Sequence, residues 1–209
     1  MRIAVPASRV TAWVDGFARR HGELSFHPDG NQLQLSAADG SWAQFSPYLP
    51  DHGIEPCDPA RLVRWACPQR LLAVLLLRRG GYAVGLARGE RWLATRSGTR
   101  YVQGRTAAGG WSQQRYQRRR VNQADSLVET ARGHLHRLLA EAGDPPLDGL
   151  VTGGDRLLLA SALHGWPRPE AVPPRRDVAL SADPRTAALT SALDLARGPS
   201  VLVNDVTRP

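Results

Sequence analysis

The spacing of apolar residues changes several times along the chain, and each change marks an element. Val121, Ala124, Val128, Ala131, Leu135 and Leu138 follow one another at intervals of three and four. That period is one face of an amphipathic α-helix, and Leu127 and Leu139 widen the stripe. The helix is expected to pack on a sheet and to stop near Gly143. Residues 71–77 are instead an unbroken apolar run, as expected of a central strand covered on both faces. After a turn at Gly80-Gly81, Tyr82, Val84 and Leu86 alternate as a second strand. A third runs through 92–95 and, after a break near Gly98, continues to Val102. The three strands predict an antiparallel meander that enters a loop at 103–111 and leaves it as the long helix.

Upstream, 9–20 predicts a helix with Val10, Trp13, Val14 and Phe17 on one face. Three short strands follow near 23–27, 32–36 and 41–46, with turns at Pro28-Asp29-Gly30 and Asp39-Gly40. Pro47, Pro50, Pro56 and Pro59 make 47–59 read as a linker. Downstream, a strand is expected at 147–152, a turn at Gly153-Gly154 and a helix capped by Asp155. A proline-rich loop at 167–174 leads to a strand at 178–180. Asp183 is expected to cap a further helix with Pro184 at its first position and Gly198 at its end. A last apolar run, 201–203, closes the chain. The order predicts an α/β (α+β) fold: a mixed sheet with an antiparallel meander, a long helix and βα units. A small N-terminal α+β unit with its linker, 1–58, would precede a main domain, 59–209.

With 209 residues, 42% of them hydrophobic, a core of ordinary size needs no disulfide or metal staple. Cys57 and Cys67 lack the spacing of a zinc site and read as reduced thiols. His134 and His136 are two apart on a helix and point to different sides, which makes them poor joint ligands and better surface or packing residues. No metal and no cofactor is expected. No apolar stretch reaches membrane-spanning length, and 1–10 lacks the apolar core of a signal peptide. A soluble, cytoplasmic protein without a membrane partner is the resulting expectation.

Charge changes the picture more. The formal net charge is +8, and every basic residue is arginine. Between 91 and 124 lie Arg91, Arg96, Arg100, Arg105, Arg115, Arg118, Arg119 and Arg120, with no acid among them. Elsewhere the signs balance. A block of one sign in an otherwise neutral chain is the footprint of a polyanion partner, although a solvated basic face would look the same. Four of these arginines crowd the expected start of the long helix, where the helix dipole favours acids. A bound phosphate would relieve that conflict. Just ahead, 104–114 carries Gly104, Gly109 and Gly110 and no large aliphatic residue. It matches neither a phosphate-binding Gly-Lys-Ser/Thr loop nor a dinucleotide fingerprint. Taken alone, it reads equally as a mobile hairpin tip.

The run Gly98-Thr99-Arg100-Tyr101-Val102, Gly104-Arg105, Gly109-Gly110-Trp111-Ser112-Gln113-Gln114-Arg115-Tyr116 and Arg118-Arg119-Arg120 resembles the loop of a family of bacterial release factors. These are related to the eukaryotic Vms/ANKZF peptidyl-tRNA hydrolases and to the middle domain of eukaryotic and archaeal release factors. The family's loop has a Gly-x-x-Gln core followed by polar and basic residues that lead into a long helix. Here that core is Gly110-Trp111-Ser112-Gln113. A weaker likeness extends over 60–209, including Val151-Thr152-Gly153-Gly154-Asp155. Trp111 departs from the eukaryotic pattern, which has a small residue there, and its indole could stack on a base.

The resemblance implies a release-factor-like fold and cleavage of peptidyl-tRNA on a large ribosomal subunit. Gln113 would be the catalytic residue, with Gly110 and Ser112 beside it. Arg100, Arg105, Arg115, Arg118, Arg119 and Arg120 would hold RNA phosphates, and Trp111 and Tyr116 would meet bases. Glutamine is no base at neutral pH, but its amide can orient a water and donate to a reacting oxygen. Two other readings use the same residues: a nuclease that cuts the tRNA 3′ end, and a non-catalytic RNA- or ribosome-binding protein. No Gly-x-Ser-x-Gly elbow offers a competing nucleophile.

Overall fold

The computed structural model describes residues 1–99, 111–164 and 173–206, with 111–121 described by backbone alone. Contacts divide the chain into two compact units, residues 1–70 with 193–209, and residues 71–192. Each has its own five-stranded sheet.

In the first unit, β1 (Arg2–Ala4) leads through a 3-10 turn (Ala7–Arg9) to α1 (Val10–His21). Val10, Val14 and Phe17 are buried on one face of α1, as their spacing predicts. Gly22 ends the helix at φ 90, a conformation that favours glycine. The hairpins β2 (Leu24–Asp29), β3 (Gln32–Ala37) and β4 (Trp42–Ser46) match the expected strands to within two residues. Leu33, Leu35, Ala43 and Phe45 alternate inward from β3 and β4 onto α1.

Two features of this unit depart from the sequence reading. Within the proline-rich stretch and just after it, α2 (Pro59–Ala66) forms, with the Asp58 carboxylate accepting from the Arg61 amide at 2.8 Å and Pro59 in the first turn. Its Leu62, Trp65 and Ala66 join the same core as α1. The last strand, β10 (Ser200–Asn204), lies between β1 and β4, antiparallel to both. The expected boundary after residue 58 therefore differs from the packing. The chain crosses between units near Arg70 and again within α5 (Thr186–Arg197).

The second unit is the predicted mixed sheet, in the order β7-β6-β5-β8-β9. The meander is β5 (Leu71–Arg78), β6 (Gly81–Arg88) and β7 (Arg91–Thr99), all antiparallel neighbours. Every residue of 71–77 is buried, as a central strand requires. Gly98 does not break β7. It pairs with Tyr82, and a Cβ there would stand 2.7–2.9 Å from that ring. The glycine leaves room for an aromatic ring to lie across the strand.

On one face, Ala73, Leu75, Leu77, Tyr82 and Val84 meet the predicted stripe of α3 (Trp111–Glu141) at Leu127, Val128, Ala131, Leu135 and Leu138. Two βα steps then add β8 (Gly149–Gly154), α4 (Arg156–Leu163) and β9 (Arg175–Val178), with β8 parallel to both β5 and β9. Asp155 caps α4 as expected, accepting from the Leu157 and Leu158 amides. Gly153 and Gly154 end β8 rather than forming a turn. Side chains there would run into the Val178 and Leu77 carbonyls. Asp183 and Pro184 do not open α5. The Arg185 carbonyl takes its first amides, those of Ala188 and Leu189, while Pro184 packs beside Gly81.

Candidate functional site

Four strands of the second sheet carry their carboxyl ends to the same side as the start of α3. β5, β8 and β9 run in parallel, and β7, antiparallel to β6, runs with them. Thr99, Arg78, Gly154 and Val178 thus end at the same edge, and α3 starts on that side before running back to β8. Open α/β sheets present their loops and ligands at the carboxyl ends of their strands.

α3 is longer than the strand before it. Its 31 residues measure about 46 Å, against about 30 Å for the nine of β7. The described packing of α3 on its sheet starts at Ala124. About 20 Å of helix, residues 111–123, precedes that contact. Trp111, Ser112, Gln113, Arg115, Tyr116, Arg118, Arg119 and Arg120 all belong to this stretch. Helix α3 begins at Trp111, so Ser112 and Gln113 stand in its first turn rather than in the loop ahead of it. Backbone amides of a first turn have no acceptor within their helix and are open to an anion or an oxyanion. Arg100, Arg105 and Gly110 lie outside the described residues.

Around the same edge, the structure brings in groups that sequence reading did not count. Arg79, at the tip of the β5–β6 hairpin, has its Nε 3.7 Å from an Asp155 carboxylate oxygen, and its side chain is 69% exposed. Arg78 donates to the Leu180 carbonyl and ties the end of β5 to the segment after β9. The Gly80-Gly81 turn was legible in the sequence, but nothing local aligns Arg78 and Arg79 with the end of β7. Thr152, fully buried, donates to the Asp177 carboxylate, which also accepts from Arg175 at 2.7 Å. Burial alone would raise Asp177. The hydrogen bonds from Thr152 and Arg175 outweigh it and hold the carboxyl below its ordinary range.

The histidines fall where packing was expected. His134 stacks on Tyr82 with ring centroids 5.5 Å apart, and the same ring lies close to Gly98. Burial, and then the charges of Arg137 and Arg96, lower the His134 pKa. Cys57 is exposed and Cys67 buried, both as free thiols. Among the described residues no cluster of His, Cys, Asp and Glu could hold a metal ion, and no helix is long and apolar enough to cross a membrane.

Two solved structures resemble the chain. One is described as the Vms1 mitochondrial localization core. It is 10% identical, with 95% of this chain and 82% of that one aligned at a TM-score of 0.47. The other is an archaeal translation termination factor, aRF1. It is 16% identical, with 92% of this chain and 56% of that one aligned at a TM-score of 0.34. Likeness this distant says nothing of what the present chain binds or cuts. No curated protein matches the sequence. The model of one family does match, over residues 70–201, a span that takes in the whole meander, α3 and both βα steps. On that match the chain belongs to the Actinobacteria/chloroflexi VLRF1 release factor family.

Proposed function

We propose that this protein is a peptidyl-tRNA hydrolase that frees nascent chains from stalled large ribosomal subunits. One observation carries the reading. In a chain of a release-factor family, the Gly110-x-x-Gln113 motif leads into the first turn of α3, directly ahead of Arg115, Arg118, Arg119 and Arg120. The arginines supply affinity for RNA phosphates. Trp111 and Tyr116 are the aromatic groups suited to stack on unpaired bases.

The reaction is ester hydrolysis. A water oxygen adds to the ester carbonyl carbon, the bond to the tRNA ribose oxygen breaks, and that oxygen takes a proton. The Gln113 amide orients the water and donates to the oxygen on which charge develops. The free amides of the first helical turn, next to Gly110 and Ser112, favour the same charge. Water is the nucleophile, and the chemistry calls for no cofactor.

The test is incubation of the protein with stalled large subunits carrying a labelled nascent chain on tRNA. Release of the peptide with an intact tRNA 3′ end is the expected result. A shortened tRNA with the terminal nucleotides left on the peptide would make the protein a nuclease. Binding without cleavage would make it a non-catalytic ribosome-binding protein.

A further inference from the structure

Away from the Gly110-x-x-Gln113 end, the second unit gathers another set of basic groups on the flank of α3. β7 is an outer strand, and its Arg96 pairs with Val84 while Gly98 pairs with Tyr82. Arg96 and Gly98 are two apart and so share one face of β7, the face on which Tyr82 and Val84 meet α3. His134 of α3 stacks on Tyr82 at 5.5 Å, and Arg137 follows about one helical turn later on the same flank. Besides burial, the charges of Arg137 and Arg96 both act on the His134 imidazole and keep its pKa down. A strand and a helix far apart in the sequence thus bring three basic groups to one place.

Both arginines are exposed, and among the described residues neither has a carboxylate within ion-pair distance. Arg96 Nη1 donates to the neighbouring Thr95 carbonyl at 2.9 Å. Asp125 and Glu129 stand about 180° and about 140° around α3 from His134. Glu141 lies one turn beyond Arg137, at the end of the helix, and forms no ion pair with it. Cations held together without counter-charge attract a polyanion. Their place in the fold says which kind. Unbroken helix joins His134 to Gln113 over about 32 Å. The aromatic ring at the patch, Tyr82, is buried. Sites for unpaired strands combine a basic groove with exposed rings, whereas a base-paired RNA stem is held through its phosphates and its shape. The patch has the makings of the second kind.

We propose that Arg96, His134 and Arg137 form a second RNA contact, which holds phosphates of a base-paired stem about 30 Å from the Gln113 end of α3. The contact rests on the reading that the start of α3 meets RNA, and it adds the direction in which that RNA runs: along α3, on its β7 side. Arg96 and Arg137 act on the position of the RNA and take no part in the chemistry.

The test uses the full chain and an RNA hairpin whose paired stem is longer than one helical turn and whose 3′ end is unpaired. Arg96→Gln combined with Arg137→Gln should weaken the hairpin about tenfold at moderate salt and make its salt slope shallower by about 1.8, the share of two duplex phosphates. The short unpaired 3′ segment alone should bind both proteins equally. Arg9→Gln combined with Arg19→Gln removes the same charge from exposed positions of the first unit and should leave hairpin binding unchanged. The hairpin should also raise the His134 pKa, followed through its ring-carbon proton, because a phosphate offsets the two arginines. Unchanged affinity and slope in the Arg96/Arg137 variant overturn the proposal, as does an equal loss in the Arg9/Arg19 control. So does an unmoved His134 pKa, or an unpaired strand of the stem's length that loses more affinity than the hairpin. Replacing Arg118, Arg119 and Arg120 by alanine tests the parent reading separately. If that variant binds the hairpin normally and the Arg96/Arg137 variant does not, the reading of the helix start fails and the flank contact stands.

Discussion

At the scale of single residues, Gln113 should matter for turnover and little for binding. If its amide positions water and a developing oxyanion, Gln113→Ala should slow peptide release by about a hundred- to a thousandfold. Gln113→Glu keeps the shape but sets a negative charge against phosphates and oxyanion alike, and should be at least as damaging. Single-turnover release from saturated subunits measures both. Full activity in the two variants with loss in Gln114→Ala would move the role by one residue. Gly98 makes a different residue-scale case. A methyl group there would overlap the Tyr82 ring, on which His134 also stacks. Gly98→Ala should destabilise the protein by about 1–3 kcal/mol, the usual cost of overpacking, read from urea unfolding. His134 adds a pH dependence. Its native pKa lies below the ordinary 6.5, so the unfolded chain takes up the proton first as pH falls. Stability that is complete above 6.5 should decline from there down to the native value. His134→Gln should flatten that decline in unfolding measured at pH 7.5 and 5.5.

At the scale of elements, the arginine cluster and the apolar stripe occupy different stretches of α3. The segment from Ala124 to Leu139 packs on the sheet, whereas the arginine-bearing start precedes that packing. Replacing Arg118, Arg119 and Arg120 together by alanine should therefore weaken binding to large subunits or tRNA without unfolding the protein. Affinity of the unaltered protein should fall with salt at a slope of about −0.7 to −0.9 per phosphate neutralised, and the triple variant should show a shallower slope. Equal slopes would remove these arginines from the RNA interface. A basic cluster at the start of a helix is disfavoured by the helix's own dipole. Packing of the apolar stripe secures the helix further along, so its first turns need not be optimal for stability.

At the scale of the whole molecule, the first unit depends on the far end of the chain. β10 lies between β1 and β4, and Val201 is buried in that unit's core. Deleting residues 199–209 should cost β1 and β4 their hydrogen-exchange protection while β5, β6 and β8 keep theirs. Uniform loss across both sheets would mean that the two units unfold as one. A fragment that starts at Pro59 would lack β1–β4 and keep α2 and β10, the elements they cover, exposing Leu62, Trp65 and Val201. Such a fragment is therefore unsuited to testing the proposed release activity.

Periodicity alone located α1, the three N-terminal strands, the meander, α3 and the Asp155 cap, because each is set by contacts between near neighbours or by a face that repeats with the local period. The arginine block was legible because charge needs no partner to be read, whereas the Gly110-x-x-Gln113 motif was read only through the resemblance to a release-factor family. α2 was hidden because eight residues give barely two turns, and the flanking prolines read as linker. The β10 pairing was hidden because a three-residue apolar run says nothing of which sheet accepts it. Nor could local rules show that Gly98 clears a cross-strand ring, or that Arg79 shares an edge with Thr99. The pairing of His21 with Asp39 and Asp205 joins the end of α1, a hairpin turn and the segment after β10. Strand order and the meeting of distant side chains depend on which faces are buried together, and only the folded chain decides that.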